Sequence, residues 1–305
     1  MSLKDKSNYD IMQTFTLKTI PDLDVCVLGA LELFSDKKLP KIKIPNGRFL
    51  IVGSGNALAT GKIIFRNHDA IFASESDYEE KLRHFKFKFG FVISASGGKH
   101  APELVKKIKS KKIKTFLITN TEDSPASRFA NQTFVLPKQR EPYTYNTSTY
   151  LSMILASGKE NVEEIYKHLN RIKVPSMKRY DSFYLILPKE FDAVREMLVT
   201  KFDELFGPKI MGRVYTTEQT KHAKTVTPSS KELFISFGEK NNVYGKHRLF
   251  VPLPKNSKFG GMIATAYYVI GKIQKQKEPY FKNNIVNYTK ESSRIFKQEI
   301  KPIVV

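Results

Sequence analysis

The sequence predicts an α/β protein with mostly parallel sheets, and two observations support this fold class. Short apolar runs of buried-strand type alternate with stretches in which apolar residues recur at helical spacing. This alternation is present in both halves of the 305-residue chain, on either side of a polar interval. We therefore expect the same three-layer α/β/α architecture twice, with helices on both faces of each sheet and no strict residue repeat.

Four segments are predicted along the chain. They are a helical N-terminal arm at 1–45, a first α/β domain at 46–158, a helix and linker at 159–180, and a second α/β domain with a C-terminal tail at 181–305. The boundary rests on the polar run K-V-P-S-M-K-R-Y-D, which interrupts the periodic pattern. The first strand of the second half is not followed by a glycine-rich turn, so we expect that domain to be a degenerate copy.

The first half contains five predicted strands, separated by turns and helices. The strands are expected at 48–52, 70–74, 89–93, 114–120 and 132–136. A helix is expected after each Ser/Gly turn and again around 150–154. Another is expected to begin with Ser124 as its N-cap and Pro125 as its first residue.

The second half has fewer predicted elements. Strands are expected at 181–188, 232–237 and 249–253, and helices at 191–206 and 261–273. The sequence Gly207-Pro208 is expected to end the first of these helices.

Composition and charge restrict the class of protein. The 51 Lys+Arg residues exceed the 30 Asp+Glu residues and give a formal charge of +21, but the basic residues are mostly lysines spread over the polar faces. A solvated lysine surface explains this better than nucleic-acid binding as the main role. The sequence has no apolar run long enough to span a bilayer and no secretory h-region, and its one cysteine, Cys26, cannot form an internal disulfide. We expect a cytoplasmic protein that does not bind membranes.

Small hydroxylated turns follow two of the predicted strands. The turn after 89–93 reads S-A-S-G-G-K, and the helix that follows it begins with unpaired backbone N–H groups. Ser94 and Ser96 can donate hydroxyl hydrogen bonds, Gly97 and Gly98 allow close approach, and Lys99 adds charge. A phosphate is the natural ligand, whereas the alternative is that serine and glycine only make a tight connection.

The same edge of the first sheet is expected to carry Ser54 and Ser124, because the carboxyl ends of parallel strands meet there. Nucleotide motifs do not fit this part of the chain. Gly53 and Gly55 are followed by Leu58, which breaks the dinucleotide pattern, and the Gly61-Lys62 pair is followed by isoleucine, which breaks the P-loop. Neither a G-x-S-x-G elbow nor metal-ligand spacing of His and Cys is present, so no cofactor and no metal are expected.

Four blocks of the first half resemble the sugar isomerase (SIS) domain family. They are V-G-S-G-N-A, S-A-S-G-G-K, I-T-N with S-P-A-S-R-F-A-N, and E-P-Y-T-Y-N-T-S-T-Y. They are similar to the family's S-x-S-G-x-T phosphate loop, its T-N and S-P-L-A block, and its E and S-T segment, although Lys99 stands where the family usually has threonine. The double-domain members resembled are the isomerase part of glucosamine-6-phosphate synthase and the phosphoglucose/phosphomannose isomerases.

The resemblance implies flavodoxin-like SIS domains, a phosphorylated sugar ligand, a homodimer and an aldose-ketose isomerase without metal. The phosphate would be bound by Ser54, Ser94, Ser96, Gly97, Lys99 and Ser124. In the second half, K-F-D-E-L and E-Q-T-K-H-A are similar to the synthase motifs that carry the base and the ring-opening histidine. They nominate Glu204 and His222, and the C-terminal S-S-R-I-F-K more loosely nominates Lys297.

Alternatives remain for each catalytic candidate. Glu141 is a rival base because it follows the last predicted strand of the first half, but it can equally cap a helix or form a salt bridge. Glu204 can be an ordinary helix glutamate, and His222, next to Lys221, an ordinary surface histidine.

Two other functions remain as hypotheses. One is a non-catalytic phosphosugar sensor, which the degenerate second half favours. The other is a lysine-mediated nucleic-acid binder, which is supported only by the net positive charge.

Overall fold

The computed structural model describes residues 7–305. The contacts between residues divide this part of the chain into two units. The first-sheet unit comprises 37–138 and 149–159, and the second-sheet unit comprises 7–36, 139–148 and 160–305. None of the helices in the described residues is both long and apolar enough to cross a membrane.

Eleven α-helices are present in the described residues. In chain order they are α1 Ser7–Thr14, α2 Leu23–Asp36, α3 Asn56–Ile64, α4 Tyr78–His84, α5 Ala101–Ser110, α6 Thr147–Ser157, α7 Val162–Leu169, α8 Arg195–Phe206, α9 Thr217–Thr220, α10 Phe259–Gln274 and α11 Tyr280–Phe296. Short 3₁₀ helices lie at Lys189–Val194 and Gly207–Lys209, one on each side of α8.

The described residues also contain eleven strands. They are β1 Phe49–Val52, β2 Ala70–Ala73, β3 Phe89–Ile93, β4 Lys114–Thr119, β5 Gln132–Val135, β6 Glu141–Pro142, β7 Ser182–Leu187, β8 Met211–Thr216, β9 Glu232–Phe237, β10 His247–Val251 and β11 Ile303–Val304. β6 and β11 form a separate antiparallel pair.

The first sheet is fully parallel and has the order β2-β1-β3-β4-β5. Its central strands are apolar throughout, as expected when both faces are covered. One face packs against α5, which contributes Leu104, Val105 and Ile108 to a buried cluster. On the other face α3 approaches closely, because a Cβ at Gly61 would lie 2.7 Å from Ile51. The first-sheet unit is therefore a three-layer α/β/α sandwich.

The second sheet is also parallel and has the order β10-β9-β7-β8. Helix α8 covers one face so closely that a Cβ at Gly212 would lie 2.1 Å from the Phe202 ring. The other face carries the aromatic side chains of Tyr184 and Phe234, which stack at 4.7 Å. Loop residues, including the partly buried Tyr244, pack on that face.

The N-terminal helices belong to the second-sheet unit, where α2 packs against α10 and α7. The fully buried Glu32 carboxylate accepts hydrogen bonds from the Asn8 side chain, the Tyr9 N–H and the Tyr166 hydroxyl. Helices α2 and α10 come into backbone contact at Gly271, where a Cβ would lie 2.0 Å from the Asp24 nitrogen.

The predicted fold class is confirmed, whereas one predicted helix is absent and one strand of the second sheet was not predicted. No helix begins at Ser124: the Ser127 and Phe129 N–H groups make i−3 bonds to Ser124 and Ala126, and the segment consists of turns. Tertiary contacts hold the segment instead: the Ala126 N–H donates to the Gly97 carbonyl and the Asn131 N–H to the Thr115 carbonyl. The chain then enters β5 at Gln132. Strand β8 was not predicted, because its arginine and glycine interrupt the apolar pattern and its pairing with β7 comes from tertiary structure.

Candidate active site

The carboxyl ends of β1 and β3 form the topological switch point of the first sheet. These strands are neighbours, but from β1 the chain moves to β2 on one side and from β3 to β4 on the other. Ligands of open parallel sheets bind in the crevice at such a point. Ser54 follows β1 there, and Ser94 and Ser96 follow β3.

The loop after β3 is folded so that its serines face its own backbone. The Ser94 Oγ accepts a hydrogen bond from the Gly97 N–H at 3.2 Å, and the Ser96 Oγ accepts one from the Gly98 N–H at 3.3 Å. The Ala95 carbonyl accepts from the Thr119 hydroxyl at 3.0 Å, which fastens the loop to β4. A hydroxyl that accepts an N–H keeps its own proton for donation, so both serines can donate to an anion.

Ser124 lies directly behind Gly97. Gly97 has φ +58°, and a Cβ there would lie 2.4 Å from the Ser124 Oγ. The Ala126 N–H donates to the Gly97 carbonyl at 2.9 Å, so the two turns are held together. Ser124 is fully buried, and its hydroxyl has no hydrogen-bond partner within the described residues. An unpaired buried hydroxyl is costly, and a bound anion would satisfy it.

Two basic side chains stand at the end of this loop. Lys99 has φ +49°, in the left-handed region, and is exposed. His100, the N-cap of α5, is also exposed, with its Nε2 3.8 Å from a carboxylate oxygen of Glu75. Both lie where positive charge can attract a dianion to the helix N-terminus.

In the second-sheet unit, Glu204 lies in the last turn of α8 and pairs with Lys201 one turn earlier. The Lys201 side chain is 1% exposed and that of Glu204 is 21% exposed. The Lys201 ammonium also donates to the Thr144 carbonyl at 2.7 Å. Burial raises the pKa of the Glu204 carboxyl above its ordinary value, and the Lys201 charge opposes that shift. A carboxyl with a raised pKa is suited to proton transfer near neutral pH.

Glu204 lines a cavity of about 470 Å³. Its lining is mostly apolar and aromatic, and consists of Thr144, residues 203–209, Tyr280, Phe281, Asn284, Ile285 and Tyr288. Thr144 has φ +74°, and its buried Oγ1 has no hydrogen-bond partner in the described part of the chain. Apolar pockets with a few convergent polar groups are typical of small-molecule sites.

Glu141 has a different environment. It is 3% exposed, and its carboxylate accepts hydrogen bonds from the N–H groups of Thr147 at 2.7 Å and Ser148 at 2.6 Å, which begin α6. The Gln139 side chain and the Cys26 thiol also donate to it. Burial raises the pKa of the Cys26 thiol well above its ordinary value, and the Glu141 charge adds to this. The contacts of Glu141 are those of a buried helix cap.

The second sheet separates His222 from Glu204. Helix α8 packs on the face that carries Gly212 and Phe183. The residues flanking His222 pack on the other face: the Thr220 hydroxyl lies 3.3 Å from that of Tyr184, and the Lys224 ammonium lies over the Tyr215 ring at 5.4 Å. His222 itself is exposed. The two residues are therefore not brought together within one chain.

Lys297 is the exposed C-cap of α11. Of the predicted binding residues, the structure thus brings Ser94, Ser96, Gly97 and Ser124 into one loop cluster, with Ser54 and Lys99 at the same sheet edge. The four catalytic candidates all belong to the second-sheet unit.

Sequence reasoning overlooked Lys201 and Thr144. Lys201 precedes Glu204 by three residues on a helix, and this spacing alone favours an ion pair. The contact with Thr144 spans 57 residues of sequence and leaves no local signal. The aromatic residues Tyr280, Phe281 and Tyr288 of the cavity lining were also missed. The Tyr288 ring lies 6.1 Å from that of Tyr143, and burial raises the pKa of Tyr143.

No protein-family model and no curated protein matches the sequence. Several solved structures, however, are similar to this chain. The chain is similar to glucosamine-6-phosphate deaminase from Thermotoga maritima (TM-score 0.60, 16% identity, 83% of this chain and 92% of that one). It is also similar to tagatose-6-phosphate ketose/aldose isomerase from Escherichia coli (TM-score 0.54, 10% identity, 85% and 89%).

A third similar structure is the C-terminal domain of glucosamine-fructose-6-phosphate aminotransferase from Francisella tularensis (TM-score 0.50, 10% identity, 92% of this chain and 97% of that one). Identities this low establish architecture and leave chemistry open. The protein therefore has the fold of the sugar isomerase (SIS) domain proteins, as its sequence motifs predicted.

Proposed function

We propose that the protein binds a phosphorylated sugar and interconverts its aldose and ketose forms. The observation that carries the proposal is the unpaired, fully buried Ser124 hydroxyl behind Gly97, in a serine loop at the switch point of the first sheet. Similar solved structures are named for sugar phosphates, which supports the same ligand class.

In this proposal the phosphate is bound by the first-sheet unit. The hydroxyls of Ser54, Ser94, Ser96 and Ser124 donate to its oxygens, and the backbone approaches at Gly97. Lys99 supplies charge. A hydrogen bond to a charged group contributes about 1.5–3 kcal/mol, so a few such bonds suffice for micromolar binding.

Glu204 is the proposed base. In the aldose-to-ketose direction its carboxylate removes the proton from C2, the C2–H electrons form the C1–C2 double bond, and the C1 carbonyl electrons move to O1. The O2 proton is transferred to O1 and the O2 electrons form the C2 carbonyl. The C1–C2 double-bond electrons then take the proton from Glu204 at C1. The raised pKa favours this exchange of a proton at neutral pH. Lys201 fixes the orientation of the carboxylate. His222 would open the sugar ring only from a second copy of the chain.

The test is NMR of fructose 6-phosphate, glucose 6-phosphate and mannose 6-phosphate incubated with the protein in D₂O. Interconversion with deuterium at C1 or C2 is expected, and Glu204→Gln should lower the rate by about 10²–10⁴-fold. Glu196→Gln is the matched control, because Glu196 is exposed on the same helix. Absence of both interconversion and exchange for all three sugars would contradict the isomerase proposal.

A non-catalytic phosphosugar sensor is the second candidate. The separation of His222 from Glu204 by a sheet favours it, because a lone chain then lacks an assembled catalytic pair. Thermal unfolding with the same three ligands distinguishes the two. A sensor is stabilised by ligand without turnover, and Ser96→Ala should remove that stabilisation.

A further inference from the structure

The amino edge of the first sheet is strongly basic. The pairings Phe49↔Phe89 and Phe89↔Lys114 place the beginnings of β1, β3 and β4 side by side. Neighbouring strands lie about 4.8 Å apart. Basic residues stand at or just before each beginning, and we call them the basic edge: Arg48, Lys86, Lys88, Lys111, Lys112 and Lys114.

The charge of the basic edge is largely uncompensated. All six side chains are exposed, and Arg48 pairs with Asp69 at 2.9 Å. The five lysines form no ion pair with any carboxylate in residues 7–305. By contrast, Lys106 and Lys107 on the neighbouring helix α5 pair with Glu103 and Glu79. Lys88 and Lys114 lie over the rings of Phe89 and Phe116, which do not neutralise their charge. Five neighbouring ammonium groups without a carboxylate partner produce a local positive field.

The backbone that carries these lysines is well anchored. Phe87 packs against the buried cluster of the first sheet, and Ile113 is 7% exposed. The Lys88 N–H donates to the Arg48 carbonyl at 3.1 Å. Lys112 turns the chain at φ +61° between α5 and β4. The spacing of the charges is thus set by the sheet.

Phe85 provides an aromatic surface beside these charges. It is 42% exposed at the end of α4, next to Lys86, with its ring 6.3 Å from that of Phe87. It is the only large apolar side chain exposed within residues 37–138. A membrane surface would require several such side chains, whereas a base needs one ring on which to stack.

We propose that the basic edge binds the sugar-phosphate backbone of single-stranded nucleic acid, with one base stacked on Phe85. The lysines cluster at the beginnings of the two neighbouring strands β3 and β4, so several ammonium groups can contact successive phosphates of a phosphodiester chain. The edge is distinct from the switch point, because β3 has five residues and its two ends lie about 16 Å apart. Both sites can therefore be occupied at once.

The test compares two variants that lose the same charge. In the edge variant Lys86, Lys88, Lys111 and Lys114 are changed to Gln. In the control variant Lys173, Lys178, Lys255 and Lys290, which are exposed and form no ion pair in the described residues, are changed to Gln. Fluorescence anisotropy is measured with a labelled oligothymidylate of about 20 nucleotides, from about 50 to 200 mM salt. For a single strand, log K falls by about 0.7 per phosphate contacted for each tenfold rise in salt concentration.

We expect the edge variant to bind at least about tenfold more weakly at the lower salt and to reduce the salt slope by roughly 3, for four lost contacts at about 0.7 each. The control variant should stay within about twofold of the unmodified protein. Equal losses in both variants would overturn the proposal, because the binding would then follow net charge alone. Binding to phosphatidylserine vesicles but not to the oligonucleotide would also overturn it.

Phe85→Ala tests the stacking. It should weaken oligothymidylate binding by about fivefold or more and leave binding of inorganic polyphosphate, which has no bases, unchanged. An equal loss for both ligands would contradict a stacked base. The melting temperature of every variant, measured by circular dichroism, should match that of the unmodified protein, because the changed side chains are exposed. The thermal shift caused by a sugar phosphate should also be unchanged, because none of these residues belongs to the switch-point site.

Discussion

The two sheets share a topology but differ in the loops that follow the carboxyl ends of their strands, which we call corners. Numbered within each sheet, the strand order 2-1-3-4 is common to both. In the first sheet the corner after β3 consists of serines and glycines. In the second sheet the corner after β8 is a capping box, in which the Thr216 hydroxyl accepts from the Gln219 N–H and the Gln219 side chain accepts from the Thr216 N–H.

The corner after β9 is closed in a similar way. The Asn241 side-chain oxygen accepts from the N–H groups of Val243 at 3.1 Å and Tyr244 at 2.8 Å. The Thr216 hydroxyl is 3% exposed, and the Asn241 amide group donates its hydrogen bond to the Tyr244 carbonyl at 2.7 Å, so neither residue presents a donor to solvent. Ser96 is exposed, and its hydroxyl keeps a proton for donation. Topology therefore provides the position of a binding site, and the corner residues decide whether a dianion can occupy it.

The largest expected effect is that of Gly97→Ala. The new methyl group would meet the Ser124 hydroxyl at 2.4 Å, at a φ of +58°. We expect loss of sugar-phosphate binding and a decrease in the free energy of unfolding of about 2–4 kcal/mol, from overpacking and backbone strain together.

Gly207→Ala is the matched control in the second-sheet unit, because φ there is +52° and nothing lies within 4 Å of the added Cβ. It should cost about 1–3 kcal/mol from backbone strain alone, because φ +52° with ψ −137° is a conformation that residues other than glycine rarely adopt. Urea unfolding and isothermal calorimetry measure the two effects. Similar values for both glycines would show that the contact between Gly97 and Ser124 has no consequence.

Lys201→Met should separate proton transfer from phosphate binding. It removes the positive charge that lowers the pKa of Glu204 and leaves burial, which raises it. The pKa of Glu204 should therefore move further up. Because a base must be ionised, the acidic limb of kcat/KM should move to higher pH, while phosphate binding stays unchanged.

Carbon-13 NMR of the Glu204 carboxyl measures the same pKa without relying on turnover. Lys209→Met is the control, since Lys209 lines the same cavity and is exposed. A titration of Glu204 that is identical in the unmodified protein and in Lys201→Met would rule out the coupling.

Ser124→Ala and Thr216→Ala should have opposite effects. Ser124 has a buried hydroxyl without a partner, so its removal should leave the unliganded protein as stable or slightly more stable, and weaken sugar-phosphate binding by about 10–100-fold. Thr216 caps α9, so its loss should cost about 1 kcal/mol of stability and leave binding unchanged. Thermal melting with and without ligand tests both. If Ser124→Ala destabilises the free protein and binds ligand normally, its hydroxyl has only a structural role.

Local patterns explain why the first-sheet site could be predicted. The strand, the S-A-S-G-G turn and the helix that follows are continuous in sequence, and each has its own signal. The position of Ser124 behind Gly97 follows from the next strand being adjacent. The helix predicted at Ser124 is absent, because backbone bonds from this segment to Gly97 and Thr115 hold it in turns and leave no local signal in the sequence.

The second-sheet unit was less predictable, since its contacts are distant in sequence. Strand β8 forms by pairing with β7, and the cavity around Glu204 combines α8, α11 and the turn at Thr144. The position of the sheet between Glu204 and His222 depends on which residues of β7 and β8 face α8. A shift of one residue in the strand register would turn the other set of side chains toward α8. The spacing of the two motifs in the sequence does not indicate which set faces the helix.

Glu141→Gln has the smallest expected effect and distinguishes the two candidate bases. Its carboxylate caps α6 through the N–H groups of Thr147 and Ser148, and an amide oxygen can still accept one of these bonds. We expect a loss of about 1 kcal/mol in the free energy of unfolding, because one charge-assisted bond is lost or weakened. The rate of solvent deuterium exchange into the sugar should then fall by less than about threefold, far less than for Glu204→Gln. A decrease of a hundredfold or more, with stability retained, would make Glu141 the base and Glu204 the structural residue.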